Sequence, residues 1–296
     1  MPGTGLPDSV MRALDEAIGG RSDALFDLLA RGSRLPGPRP NDALVDAFAQ
    51  ACRGRGAAAD RVVFGMARLT VDDAPGASPL EFLPMCGVAA IGARAAGDPT
   101  RREALVAELH AHADDLRFRV RAAVVGALGQ VGATAGDELV AATAPWMDGY
   151  FHAAAVLEAL GRDPWLSRVH DAAGAIRRLD DAFDLARRSP RSAARFPGRK
   201  ALIEALSHAP IGLAVRFGHP VFEALIRWTT ADDPELRNVV VGILADGRLI
   251  SRFGQDVQRV RRALDATRPP PRNPDHDVGT TRDRSRRRRE GRGRGP

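Results

Sequence analysis

The chain has 296 residues, of which 44% are apolar, 27% charged and 5% aromatic. This apolar content is ordinary for a soluble globular protein, and the scarcity of aromatic residues favours closely packed helices over a β-sandwich. With two cysteines the chain has no disulfide framework, and the N-terminus lacks the basic start and apolar run of a signal peptide. We therefore expect a cytoplasmic protein with free thiols and no segment long enough to span a bilayer.

The excess positive charge is confined to one end of the chain. The formal net charge is +6, from 43 basic and 37 acidic residues. Residues 268–296 contain ten arginines and four acidic residues, which leaves 33 residues of each sign in residues 1–267. We predict one helical-repeat domain in residues 1–267 and a disordered Arg-rich tail in residues 268–296, which has too few apolar side chains to offset the entropy of ordering.

In the first third of the chain, apolar residues recur at helical spacing. The predicted helices lie around residues 10–18, 25–29, 44–52, 62–69 and 86–91. Proline-rich stretches at residues 35–40 and 72–79 separate them and predict loops.

A helical hairpin is the clearest element of the middle of the chain. Residues 105–109 predict a short helix, Asp114 and Asp115 a turn, and residues 120–131 a second helix with one apolar stripe. Similar hairpins are predicted at residues 138–161 and 221–245. Between them we predict a helix over residues 165–176 and a loop over residues 189–198.

The hairpins repeat in sequence as well as in pattern. The segment RAAVVGAL at residues 121–128 aligns with RNVVVGIL at residues 237–244, and ALG at 127–129 recurs 32 residues later at 159–161. A weaker copy begins at Arg199. These hairpins resemble HEAT repeats of the armadillo type. The resemblance implies an all-α, right-handed α-solenoid, which is a binding scaffold that seldom carries its own chemistry.

In HEAT repeats an arginine of the second helix commonly pairs with the turn aspartate of its own or a neighbouring repeat. The resemblance therefore implies a structural ladder in this chain. Its residues are Asp115, Arg121, Asp232 and Arg237.

The densest group of metal-binding residue types lies in the first helix of the central hairpin and its turn. Its members are Glu108, His110, His112, Asp114 and Asp115. On a helix His110 faces Asp114 and Glu108 faces His112, but the two pairs point in roughly opposite directions. A closed metal site needs converging ligands, so this pattern indicates a solvated helix end. We predict no metal and no cofactor, because phosphate-binding loops, nucleophile motifs and the His-Glu dipeptides of HEAT-like di-iron hydroxylases are also missing from the sequence.

Two alternatives involve nucleic acid. HEAT-like DNA glycosylases handle alkylated bases with aromatic residues and an aspartate, and Trp146, Asp148 and Tyr150 offer a similar set for base stacking. However, residues 1–267 are neutral and lack the basic groove that duplex DNA requires. The second alternative is non-specific binding by the tail, with Arg284, Arg286, Arg287, Arg288 and Arg289 as candidate contacts.

We favour a non-catalytic scaffold that binds another macromolecule, with a protein as the expected partner. The partner would lie along a concave face formed by the second helices of the hairpins. A mixed or apolar groove would favour this function, and a basic groove with Trp146 and Asp148 exposed would favour the nucleic-acid alternative.

Overall fold

The computed structural model describes residues 7–231 and 233–267. Within these residues the chain forms α-helices and short 3-10 turns and no β-strand, so the prediction of an all-α fold is confirmed. The helices are α1 (Asp8–Ile18), α2 (Asp23–Gly32), α3 (Asp42–Gly54), α4 (Asp60–Ala67), α5 (Phe82–Gly97), α6 (Arg102–His110), α7 (Phe118–Ala135), α8 (Asp137–Ala142), α9 (Tyr150–Leu160), α10 (Ala172–Arg187), α11 (Pro197–Phe217), α12 (His219–Trp228), α13 (Pro234–Ile243), α14 (Gly247–Arg252) and α15 (Gly254–Ala266).

One row of helices runs through most of the described chain. Successive members α3, α5, α7, α9, α11 and α13 each pack against the next. Small residues allow the close approach, since a Cβ atom on Gly92 of α5 would lie only 2.5 Å from the Cβ atom of Ala127 in α7. A second row, α8, α10 and α12, covers the later part of the first, and α14 and α15 pack against α11 and α12 respectively.

Helix α5 is buried on every side. All residues from Phe82 to Ala95 are buried, because α2, α3, α4, α6 and α7 all contact this helix. By length and composition alone the segment Pro79–Gly97, with a mean hydropathy of 1.2, could cross a membrane, so the expectation that no segment has such a length is wrong. However, 83% of it is buried inside the protein, which is typical of the core helix of a soluble protein.

Trp165 and Val169 do not belong to the helix predicted over residues 165–176. The helix begins only at Ala172, where the Asp171 side chain accepts a hydrogen bond from the backbone N–H of Gly174 at 2.9 Å. Trp165 is instead fully buried beneath α7, and its indole N–H donates to the carbonyl oxygen of Gly136 at 3.0 Å. The apolar residues at helical spacing between positions 165 and 169 are therefore buried in a connecting segment and do not form the face of a helix.

Candidate functional site

Three side chains of metal-binding type converge where α6 ends and α9 begins. His110 is the last residue of α6, Asp148 ends the 3-10 turn Ala144–Asp148, and His152 lies in the first turn of α9. The two carboxylate oxygens of Asp148 lie 3.1 and 3.2 Å from Nε2 of His110, and one of them lies 3.1 Å from Nδ1 of His152. We call these three residues the His–Asp cluster.

Trp146 forms the inner wall of the His–Asp cluster. The imidazole rings of His110 and His152 stack with centroids 4.0 Å apart, and the Trp146 ring meets both edge-on at 5.1 and 6.3 Å. Trp146 is only 3% exposed, so its ring offers no open face to a flipped base. Of the predicted base-stacking set, Asp148 is exposed and Tyr150 is half-buried against Phe196, with ring centroids 6.1 Å apart.

The environment of His152 favours the neutral imidazole. Burial lowers the pKa of His152, the nearby His110 lowers it further, and the negative charges of Asp148 and Asp114 oppose both effects only in part. Its Nδ1 atom is buried and has no hydrogen-bond partner in the described part of the chain. A Cβ atom on Gly149 would collide with this nitrogen, so glycine at position 149 leaves space beside it.

Glu108 and His112, which the helical pattern of residues 108–115 assigns to a solvated helix end, lie away from the His–Asp cluster, and His112 is buried. Glu108 accepts two hydrogen bonds of 2.8 Å from Arg68, and Nε2 of the buried His112 lies 3.6 Å from the Glu108 carboxylate. The His110 side chain therefore contacts residues about forty positions later in the chain and not the other members of the group at residues 108–115. The pattern of residues 108–115 does not extend to His152, so it cannot predict this contact. The signal for His152 was the spacing of four residues between Asp148 and His152 at a helix start.

Asp115 and Arg121 of the predicted ladder are in contact, but through the backbone. Arg121 donates to the carbonyl oxygen of Asp115 at 2.5 Å, and its guanidinium lies 4.2 Å from the ring centroid of Phe151. The Asp115 carboxylate accepts its side-chain hydrogen bonds from Arg117. Burial alone would raise the pKa of Asp115, but the hydrogen bonds from Arg117 outweigh it and hold the pKa below its usual value.

Arg237 has an arrangement similar to that of Arg121. It donates to the carbonyl oxygen of Thr229 in the preceding turn and to that of Leu264 at 2.9 Å. Its predicted partner, Asp232, lies outside the described residues. Across neighbouring hairpins the buried Arg199 binds Asp233 at 3.1 Å and also binds Glu235.

Exposed apolar side chains gather where α7, α9 and α11 begin. Phe118 is 71% exposed, Phe196 is 49% exposed, and the rings of Phe151 and Phe196 are 6.0 Å apart. Arg121 lies three residues after Phe118 on α7, and its guanidinium makes a cation–π contact with Phe151. We call Leu116, Phe118, Tyr150, Phe151 and Phe196 the aromatic band.

The groove between α9 and α11 carries charges of both signs. It has a volume of about 310 Å³, and its ionisable lining residues are Glu158, Arg162, Glu204 and His208. Burial raises the pKa of Glu158, and Glu204 adds to this effect. The groove is therefore mixed and not basic.

A larger cleft of about 830 Å³ lies among α10, α12 and α13. Its charged groups are largely paired with each other: Arg227 binds Asp180 at 2.5 Å, Arg187 binds Asp184 at 2.6 Å, and Arg199 binds Asp233 and Glu235. This pairing leaves few charged groups to attract a ligand. The tail arginines, Arg284 and Arg286 to Arg289 among them, lie outside the described residues.

Comparison of the chain with protein-family models, curated proteins and solved structures finds no significant match.

Proposed function

We propose that this protein is a non-catalytic, HEAT-like helical-repeat scaffold that binds another protein through the side of the molecule where α7, α9 and α11 begin. The row of helices from α3 to α13, each packed on the next, supports a solenoid of stacked hairpins. The mixed charge of the groove between α9 and α11 favours a protein partner over nucleic acid.

The aromatic band is the observation that carries the proposal. Leu116 is 84% exposed and Phe118 71% exposed, and large apolar side chains exposed together mark sites of protein association. Aromatic residues and arginine dominate the binding energy of many interfaces, and Arg121 lies within this band.

The charges beside the band indicate the chemistry of the partner. Arg195 and Lys200 are exposed on either side of Phe196, and neither has an ion-pair partner among residues 7–231 and 233–267. We therefore propose a partner segment that combines apolar side chains with carboxylates, so that both parts of this surface are complemented.

Affinity capture from native, nuclease-treated lysate tests the proposal with three baits. These are the wild-type chain, a Leu116→Ser/Phe118→Ser variant and a control, Ile250→Ser, which removes an apolar side chain that is 44% exposed elsewhere. Captured proteins are then produced pure and titrated against each bait by calorimetry. We expect a protein that binds wild type and control alike and binds the double variant at least about tenfold more weakly. Equal affinity for all three baits, or no captured protein that binds when pure, would refute this function.

A further inference from the structure

We propose that His110, Asp148 and His152 form a binding site for one divalent transition-metal ion of the zinc class. The ligand set is two imidazoles and one carboxylate, contributed by α6, the 3-10 turn Ala144–Asp148 and α9. One ligand atom from each residue lies within 4.8 Å of the other two. Ligands converging from separate elements are what the helical pattern of residues 108–115 lacks.

The donor atoms select the class of ion. Imidazole nitrogen with carboxylate oxygen suits Zn²⁺, Co²⁺, Ni²⁺ and Fe²⁺, whereas Mg²⁺ and Ca²⁺ prefer sites made of oxygen alone. Three protein ligands leave a coordination position for water, and Asp148, whose side chain is 53% exposed, opens the cluster to solvent.

Two further features favour a cation here. Nδ1 of His152 is buried and has no hydrogen-bond partner among residues 7–231 and 233–267, although a carboxylate oxygen of Asp148 lies 3.1 Å away. The space beside it is kept free by Gly149, where a Cβ atom would collide with the nitrogen. A metal ion bound by the Asp148 carboxylate and by Nδ1 of His152 would satisfy this orphaned nitrogen, and the His110 ring would turn out of its stacked arrangement to become the third ligand.

The charges around the cluster also suit a cation. The neighbouring acidic groups that act on His152 are Asp148 and Asp114. His219 offers a matched contrast, since Nδ1 lies 2.7 Å from Asp256 and Nε2 lies 3.4 Å from Glu223. At His219, however, a guanidinium nitrogen of Arg259 lies 3.2 Å from Nδ1 and already supplies the positive charge.

Metal titration of the full chain tests the site. Metal-stripped protein is titrated with Zn²⁺ by calorimetry and with Co²⁺ by visible absorption, which reports the coordination geometry. The variants are Asp148→Asn and His152→Ala, with His219→Ala as the control. Asp148→Asn changes an exposed side chain, so it leaves the fold intact even if His152→Ala does not, and thermal melting of each variant checks this.

We expect one high-affinity ion per chain in the wild type and in His219→Ala, and a higher melting temperature when the ion is bound. Asp148→Asn and His152→Ala should each weaken binding by at least about tenfold and alter the Co²⁺ spectrum. Failure of the wild type to bind Zn²⁺ or Co²⁺, or unchanged affinity in Asp148→Asn, would overturn the proposal.

Discussion

The guanidinium of Arg117 binds the carboxylate of Asp115, two residues earlier in the chain. Its Nε and Nη2 atoms donate to the two carboxylate oxygens at 2.8 and 2.6 Å. The same group also donates to the carbonyl oxygens of Leu69, Thr70 and Ala74 at 2.8, 3.2 and 2.9 Å. A single side chain thus joins the turn before α7 to the segment that follows α4.

We predict that Arg117→Met strongly destabilises the protein. The side chain is only 4% exposed, and its loss leaves Asp115 and three carbonyl groups without their donor. The expected loss is about 3–5 kcal/mol, measured by denaturant unfolding. Arg248→Met is the matched control, because Arg248 binds Asp246 in the same way but is 69% exposed, and its loss should be below about 1 kcal/mol. Equal losses would show that burial does not matter at Arg117.

The contribution of Asp115 to stability should depend on pH. Because its pKa is lowered in the folded protein from a value of 3.8, its ionised form stabilises the fold above that pH. This stabilisation is lost as the pH falls through the lower folded pKa. Asp115→Asn should therefore be clearly less stable than wild type at pH 7, and the difference should shrink below about pH 4. Thermal melting from pH 3 to pH 7 measures it; a difference that does not change over this range would contradict the prediction.

Two glycines of α7 should respond oppositely to alanine. A Cβ atom on Gly132 would collide with the indole of Trp165, whereas a Cβ atom on Gly126 would meet nothing within 4 Å. Gly132→Ala should destabilise the protein by about 1–3 kcal/mol through overpacking. Gly126→Ala should stabilise it by about 0.5–1 kcal/mol, since alanine loses less entropy in a helix. Urea unfolding of both variants decides the point, and stabilisation by Gly132→Ala would mean that Trp165 is not packed there.

Any affinity for nucleic acid should reside in residues 268–296. This segment carries the whole excess of positive charge, and eight of its arginines lie between positions 282 and 294. Binding of DNA and RNA by the full chain should weaken on the order of 10³-fold between 50 and 200 mM salt, and deletion of residues 268–296 should abolish it. Tight binding by the truncated chain would instead favour the glycosylase-like alternative. A variant with glutamine at positions 286–289 should show a shallower salt dependence.

The sequence predicts the helices in which apolar residues recur at regular helical spacing. It does not predict the segments whose structure depends on tertiary packing. The stripe from Val120 to Val131 lies within α7, and the aligned stripe from Leu236 lies within α13. Helix α11, in contrast, continues through the buried Pro210, which lacks a backbone N–H and breaks most helices. Packing of α11 against α9, α10 and α13 holds it together, and no local pattern reports such contacts.

The same limit applies to the candidate sites. The resemblance to HEAT repeats pairs Asp115 with Arg121, yet the Asp115 carboxylate binds Arg117, which no sequence pattern distinguishes from its neighbours. The convergence of His110 with His152 depends on how α6 and α9 lie beside each other. Such long-range proximity cannot be obtained from the spacing of residues within one helix.

The burial of α5 also bears on how the chain is made. Because α2, α3 and α4 precede α5, the surfaces that cover part of it leave the ribosome first, as expected for folding from the N-terminal end. The apolar segment Pro79–Gly97 therefore emerges after elements that can cover part of its surface. A fragment that began at position 79 would lack α2, α3 and α4 and would expose the faces of α5 that these helices cover.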